Sequence, residues 1–93
     1  MLGISAKAGK VASGEFQTEQ AVKKGKAYLV ITAGDASENT RKKFANMCEY
    51  YQVPFFLFSD RISLGNAIGK EFRASLAVVD ENLAKVIEKH FVE

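Results

Sequence analysis

The sequence predicts a single α/β domain, built as a three-layer α-β-α sandwich with a small mixed sheet. Its 93 residues suit one hydrophobic core, because domains usually contain about 50 to 200 residues. Short apolar runs rich in β-branched or aromatic residues alternate along the chain with segments whose apolar residues have helical spacing. Strands that alternate with helices at this interval indicate helices on both faces of one sheet.

Three apolar runs predict strands. They contain no charged residue, and this continuous apolar character is typical of strands that are covered on both faces. We therefore expect all three to be central strands of the sheet. The runs occupy residues 28–32, 55–58 and 76–79.

Four other segments predict helices, and a first helix is expected near residues 2–8. The predicted helices occupy residues 17–24, 37–51, 62–68 and 81–91. The second of these segments has an apolar stripe with spacing i, i+3, i+4 and i+7, which would lie on one helix face against the sheet. The stripe consists of Phe44, Met47, Cys48 and Tyr51.

Polar residues and glycines mark the expected helix ends. Asp35, Ser59 and Asp80 each stand where a side-chain oxygen would accept hydrogen bonds from the free amides at a helix start. Glycine favours the left-handed conformation that often ends a helix. The glycines suited to this role are Gly25 and Gly69.

Charge and cysteine content narrow the class of protein. Thirteen Lys and Arg against eleven Asp and Glu give a net charge of +2, which is too small to identify a nucleic-acid partner by itself. The positive charges cluster in residues 1–26 and 41–43, which indicates a basic face. A single cysteine suits a reducing compartment, and neither a signal peptide nor an apolar stretch of about 20 residues is found. We expect a cytoplasmic protein with no membrane partner.

The residues that most often carry catalysis have simpler interpretations in this chain. His90 lies near the end of a predicted helix, where a cation is favourable against the helix dipole. Cys48 lies on the apolar stripe, and the sequence offers it no base. Asp35 and Asp80 coincide with helix starts, and residues 9–14 lack the full phosphate-loop pattern. We expect no enzymatic activity, no metal, no cofactor and no small-molecule substrate.

Short segments that follow one another in a specific order are the strongest functional signal. They are LG (2–3), AGK (8–10), SG (13–14), AVKKGKA (21–27), LVI (29–31), AGDAS (33–37), CEYYQVP (48–54), LGNAIGK (64–70) and FRASLAVVD (72–80). Together they resemble the kink-turn-binding family of large-subunit ribosomal proteins seven-Ae and thirty-e, and most closely its bacterial YlxQ-like branch. The resemblance implies an α-β-α sandwich and one ribosomal-protein-like RNA-binding domain over residues 1–93.

The resemblance also implies a site at the start of the family's second helix, which enters the widened groove of a kink-turn. A kink-turn is a sharply bent RNA helix flanked by tandem sheared G·A pairs. The family pattern G-x-(N or K)-(E or Q)-x-x-K falls on Gly14, Phe16, Gln17 and Gln20. Gly14 and Gln17 match it, whereas Phe16 replaces Asn or Lys and Gln20 replaces Lys. Phe16 either stacks on an unpaired base or packs beneath the first helix.

The family's second contact surface is the loop before the last strand, which touches a nucleotide flipped out of the kink. It falls on residues 71–75, which include Arg73 and Ala74. Arg73 either contacts RNA, by pairing with a phosphate or by stacking on a base, or is a solvated surface residue. General phosphate attraction is expected from lysines that would otherwise be solvated. They are Lys10, Lys23, Lys24, Lys26 and Lys70.

Two hypotheses about function follow from the resemblance. The first is a non-catalytic, monomeric protein that binds structured RNA, with ribosomal RNA among the expected targets. The second, suggested by Phe16 and Gln20, is a protein-interaction or ribosome-assembly module with a weakened RNA site. A continuous basic face with Lys10 and Arg73 would favour RNA, and an apolar patch around Phe16 would favour protein. An enzyme is disfavoured, because 93 residues leave no room for the catalytic domain to which similar sandwiches are attached.

Overall fold

The computed structural model describes residues 11–58, 60 and 74–92. Within them the elements are, in order, β1 (Val11–Ser13), α1 (Glu15–Lys23), β2 (Leu29–Ala33), α2 (Glu38–Tyr51), β3 (Phe55–Phe58), β4 (Ser75–Val78) and α3 (Glu81–Val92). The helices predicted at residues 2–8 and 62–68, and the helix ends predicted at Ser59 and Gly69, lie outside the described residues. The predicted helices at residues 17–24, 37–51 and 81–91 are confirmed to within two residues at each end.

The four strands form one mixed sheet in the order β1-β4-β2-β3. β2 runs parallel to β3, and β4 runs antiparallel to both β1 and β2. β2 and β4 are therefore central, and all of their residues are buried. The prediction that β3 is also central is wrong, because among the described strands β3 has a neighbour on one side only and its Leu57 is exposed. β1 was not predicted, since three residues are too few to show a strand periodicity.

Alternating side chains on the central strands build two separate hydrophobic cores. On one face, Leu29, Ile31, Leu76 and Val78 pack with Ala84 and Ile87 of α3. On the other face, Val30 and Ala77 pack with Val22 of α1 and with Phe44 and Cys48 of α2. Helices thus cover both faces of the sheet, which confirms the predicted α-β-α sandwich.

Three described helix boundaries test the predicted caps. Asp80 caps α3, because its Oδ2 accepts a hydrogen bond from the Leu83 amide at 2.8 Å. The prediction for α2 is wrong in detail: the cap is Ser37, whose Oγ accepts from the Thr40 amide at 3.2 Å. Asp35 lies two residues before Ser37, too early to reach the first-turn amides of a helix that starts at residue 38.

Gly25 ends α1 as predicted. Its φ of 73° is left-handed, its amide donates to the Val22 carbonyl at 3.1 Å, and the Lys26 amide donates to the Ala21 carbonyl at 2.9 Å. This pair of hydrogen bonds is a Schellman motif, which satisfies carbonyl groups that the helix end leaves without partners. The same motif ends α2 at Gln52, whose φ of 59° is unusual for a residue other than glycine.

Candidate nucleic-acid interface

Gly14 joins β1 to α1 in a conformation that suits glycine alone. Its φ of 97° and ψ of 157° lie in a region that is closed to other residues without strain. Its amide donates to the Ser75 carbonyl at 2.9 Å, and its carbonyl accepts from the Thr18 amide at 2.9 Å in the first turn of α1. A Cβ added at Gly14 would meet no atom of the described residues within 4 Å. As far as residues 11–58, 60 and 74–92 are concerned, the space above the start of α1 is therefore open to a ligand.

The start of α1 has the electrostatic character of an anion-binding site. The amides in the first turn of a helix lack intrahelical acceptors, and Gly14 has no side chain with which to cap them. These amides and the positive end of the helix dipole point towards the open space above Gly14. The two features together favour a phosphate group at this position.

Phe16 and Gln17 lie exposed in the first turn of α1. Phe16 is 67% exposed, so the expectation that it packs beneath another helix is wrong. Gln20 is partly buried and lies one turn after Phe16, on the side of α1 that faces away from the sheet. The opposite side of the helix packs on the sheet through Thr18, Ala21 and Val22. The glycine, the aromatic ring and both amide side chains of the family pattern therefore lie along one accessible side of α1.

The first residue of β4 contacts the residue that precedes α1. The Ser75 carbonyl binds the Gly14 amide, and the Ala74 carbonyl accepts from the Ala33 amide at 2.7 Å. Ala74 is half-buried and packs against the core on the α3 side of the sheet. The other predicted contacts, Lys10, Lys70 and Arg73, lie outside the described residues. The continuous basic face with Lys10 and Arg73 therefore stays a prediction.

Lys23 lies at the far end of α1, so the structure does not bring it together with Gly14. The nine residues of α1 correspond to a helix about 13 Å long. Lys23 Nζ instead contacts Glu19 Oε2 at 2.7 Å. If Lys23 attracts phosphate, it does so two turns away from the open helix start.

An ionic network joins α1 to α2 beside the site. Lys43 Nζ lies 3.2 Å from Glu15 Oε2 and 2.7 Å from Glu19 Oε1. The hydrogen bonds from Lys23 and Lys43 lower the pKa of Glu19 to about 2. The same contact with Glu19, followed by that with Glu15, raises the pKa of Lys43. The network therefore offsets the two carboxylates that would otherwise place negative charge beside the open helix start.

Sequence reasoning missed the role of Lys43, which was expected only as part of the basic run at residues 41–43. The structure divides this run: Arg41 Nε donates to the Ala36 carbonyl at 2.9 Å, and Lys42 pairs with Glu38 at 3.3 Å. Only Lys43 reaches across to α1. The contact joins residues 28 positions apart in the chain, and no local pattern could have indicated it.

Three buried hydroxyl groups lie between the sheet and the α1/α2 layer. Thr32 and Ser75 face each other across β2 and β4, and Thr18 is buried on the inner side of α1. In the part of the chain that the structure describes, Thr18 Oγ1, Thr32 Oγ1 and Ser75 Oγ have no hydrogen-bond partner. Buried hydroxyls usually find partners, so this layer is less completely satisfied than a purely apolar core. No pattern in the sequence indicated these buried hydroxyl groups.

Cys48, one of the residues considered for catalysis, has the character of a core residue. Cys48 is buried, and loss of solvation raises the pKa of its thiol to about 11, so the thiol stays protonated at neutral pH. Its expected role as a small hydrophobic residue is confirmed by its packing beside Phe44, whereas Tyr51 of the same predicted stripe is exposed. Residues 11–58, 60 and 74–92 contain no group of three or more metal-ligating side chains. No helix among them is both long and apolar enough to cross a membrane.

The described residues form an α-β-α sandwich in which the start of α1, preceded by Gly14, lies against the first residue of β4. The chain belongs to the ribosomal protein L7Ae/L30e/S12e/Gadd45 family, whose model matches residues 1–88. The resemblance identified from the short segments is thereby confirmed.

Several relatives cover most of the chain. It is 42% identical to the RNA-binding protein YlxQ of Bacillus subtilis over 84 residues, which is 90% of this chain and 84% of that protein. It is 32% identical to the large ribosomal subunit protein eL30 of Methanoregula boonei, over 87% of this chain and 82% of that protein. A solved structure of a protein with unknown function from Bacillus halodurans C is 36% identical and superposes with a TM-score of 0.95, covering 99% of this chain and 93% of the other.

Proposed function

We propose that this protein is a non-catalytic RNA-binding protein that recognises a kink-turn or a similarly bent element of structured RNA, ribosomal RNA included. The observation that carries the proposal is the open start of α1, where Gly14 leaves both the first-turn amides and the space above them accessible. The similarity to the RNA-binding protein YlxQ of Bacillus subtilis supports RNA as the ligand class. The protein would act as a cytoplasmic monomer.

Recognition would combine phosphate binding with contacts to base edges. The first-turn amides and the helix dipole bind a phosphate, and the missing side chain at Gly14 lets the RNA backbone come close. Gln17, exposed in the first turn of α1, hydrogen-bonds a base edge that the bend has opened. Regular A-form RNA hides these edges in a deep and narrow groove, so a bent element is the better fit.

Phe16 and Gln20 would change the strength of this recognition. Where the family has a charged donor, Gln20 supplies a neutral one, and hydrogen bonds to charged groups contribute about 1.5–3 kcal/mol against about 1 for neutral groups. The exposed ring of Phe16 offsets part of the difference by stacking on an unpaired base, which contributes about 1–3 kcal/mol in single-strand binders. We expect a weaker affinity for standard kink-turns than the family pattern would give.

One observation favours a second candidate function, a protein-interaction or ribosome-assembly module. Phe16 is a large apolar side chain in the first turn of α1, and its 67% exposure would suit an apolar partner. The two candidates differ in what they require of Phe16. An RNA site tolerates its replacement by a polar donor, whereas a protein docking site would lose affinity.

Fluorescence anisotropy tests the proposal with a labelled kink-turn RNA and a copy whose G·A pairs are disrupted, over a series of salt concentrations. We expect tighter binding to the intact RNA, and a further gain of about tenfold, equivalent to about 1.4 kcal/mol, for the double variant Phe16→Asn, Gln20→Lys. Equal and strongly salt-dependent binding of both RNAs would reduce the function to phosphate attraction. No binding at all, or a folded double variant that binds no better, would favour the protein-interaction candidate.

A further inference from the structure

An exposed aromatic pair lies at the end of α2, away from the site at Gly14. The rings of Tyr50 and Tyr51 are in edge-to-face contact, with centroids 4.9 Å apart and planes at 82°. Tyr50 is 79% exposed and Tyr51 41%. A large aromatic ring with this exposure contributes little to the core, so its packing does not explain its position.

The contacts of α2 place Tyr50 on the side that faces α1. Lys43 defines this side, since it contacts Glu15 and Glu19 of α1. Tyr50 follows Lys43 by seven residues, which is two helical turns, and so projects from the same side. Successive residues are about 100° apart around a helix, so Glu49 and Tyr51 lie on opposite sides of Tyr50.

The chain that ends α1 lies beside this part of α2. Ala27, Met47 and Val53 all pack against the same core cluster. The strands that follow α1 and α2, β2 and β3, run parallel and begin side by side, with Val30 opposite Phe55, so both helices end at the same edge of the sheet. The turn just before Ala27 carries two exposed lysines, Lys24 and Lys26. Within the described ranges neither of them forms an ion pair, whereas Lys23 is held by Glu19. We call Tyr50, Tyr51, Lys24 and Lys26 the tyrosine–lysine surface.

We propose that the tyrosine–lysine surface binds a single-stranded RNA segment that extends from the structured element bound at Gly14. Exposed aromatic rings beside unpaired cations are the combination with which proteins hold single strands: the bases stack on the rings and the phosphates lie against the cations. The two lysines favour this polyanion over an apolar protein partner. The inference rests on the proposed function, because it takes the same RNA to occupy both places.

The geometry of α1 supports one continuous RNA path. Phe16, Gln20 and Lys23 follow one another along the outward side of α1, at intervals of four and three residues. They follow α1, which is about 13 Å long, from its first turn to its last residue, next to Lys24. A strand that leaves the kink-turn at Phe16 would reach Tyr50 within a few nucleotides.

The test compares four fluorescently labelled RNAs in anisotropy titrations. They are a blunt kink-turn duplex, the same duplex with a single-stranded uridine extension of about eight nucleotides at either end in turn, and the free uridine oligonucleotide. We expect one of the extended duplexes to bind at least about fivefold more tightly than the blunt duplex. Tyr50→Ala should remove this gain and leave blunt-duplex binding unchanged, while Tyr50→Phe, which keeps the ring, should retain most of it.

A matched pair of charge variants separates local from general attraction. Lys24→Gln with Lys26→Gln removes two charges from the surface, and Lys42→Gln with Lys85→Gln removes two charges elsewhere, each from an i,i+4 pair. Only the first pair should abolish the gain from the extension. An extension that adds no affinity, or a gain that survives Tyr50→Ala, overturns the inference.

Failure of the proposed function would give a different result. In that case the wild-type protein does not distinguish the blunt kink-turn from its disrupted copy. The free oligonucleotide then tests the inference alone: binding that Tyr50→Ala weakens supports a single-strand surface, and binding that is indifferent to Tyr50 overturns it. Because Tyr50 is exposed, thermal unfolding should show that the variants fold as the wild type does.

Discussion

The two faces of the sheet pack different kinds of side chain. The face covered by α3 is aliphatic, and Leu29, Ile31, Leu76 and Val78 pack there against Ile87. The face covered by α1 and α2 buries hydroxyl groups that have no partner among the described residues, and an ionic network spans its two helices. The open helix start at Gly14 and the tyrosine–lysine surface both belong to this second layer.

The difference indicates that the two layers have different roles. The α3 layer gives stability through area buried from water, which requires no particular geometry beyond close packing. The α1/α2 layer holds a helix start open to solvent and orients charged groups beside it, so it retains polar groups that a core alone would not need. Substitutions in the α3 layer should therefore change stability only, and those near Gly14 should change stability and binding together.

The largest expected effect is on the α3 layer. Ile87 is 4% exposed, and Ile87→Ala should lower the free energy of unfolding by about 2–5 kcal/mol, since it removes buried methyl groups and leaves a cavity. RNA affinity of the folded protein should stay unchanged. Urea unfolding and anisotropy titration at low temperature measure the two quantities.

Val86→Ala is the matched control, because it is the neighbouring residue in α3 and is 61% exposed. Its effect on the free energy of unfolding should stay within about 0.5 kcal/mol. A loss of RNA affinity in folded Ile87→Ala would contradict the division between the layers.

An intermediate effect is expected at Gly14. Gly14→Ala should lower the free energy of unfolding by about 1–3 kcal/mol, because its φ of 97° is strained for any residue with a Cβ. The new Cβ would also stand in the open space above the helix start, so RNA affinity should fall about tenfold. The same two measurements apply.

Gly25→Ala provides the comparison at the other end of α1. Its φ of 73° is also positive, and no atom lies within 4 Å of an added Cβ. It should therefore cost about 1 kcal/mol of stability and leave affinity for the blunt kink-turn unchanged. Equal affinity losses in both variants would mean that α1 affects binding through its stability and not through the start of the helix.

Much of the fold could be predicted from local patterns. The apolar runs at residues 28–32 and 76–79 gave the two central strands, and helical spacing gave α2 and α3, because both signals depend on neighbours in sequence. Asp80 and Gly25 were also assigned correctly, since each acts within one helical turn. For the site, the family resemblance supplied Gly14 and Gln17, and the structure added the conformation and the open space that suit them to a ligand.

The rest depended on contacts between distant residues. The run at residues 55–58 is as apolar as a central strand, yet its place at the sheet edge follows from strand order, which composition does not encode. The exposure of Phe16 and the reach of Lys43 to Glu15 depend on how α1 and α2 pack together. Ser37 replaced Asp35 as the cap because the helix begins two residues later than the expected cap would require.

The smallest expected effect is the pH dependence that the ionic network gives to the α1/α2 layer. The folded protein lowers the pKa of Glu19 from 4.5 to about 2, so the carboxylate form is favoured by folding. The resulting stability is present above the unfolded pKa and is lost as the pH falls through the folded one. In Glu19→Gln, urea unfolding should therefore show a smaller loss of stability between about pH 5 and pH 2 than in the wild type.

Glu38→Gln is the control, because it removes a carboxylate from the exposed Glu38–Lys42 pair on α2 and should follow the wild-type pH dependence more closely. If both variants changed the slope equally, the two carboxylates that Lys43 holds would be ordinary surface charges, and the network would contribute nothing specific to the layer that bears the site.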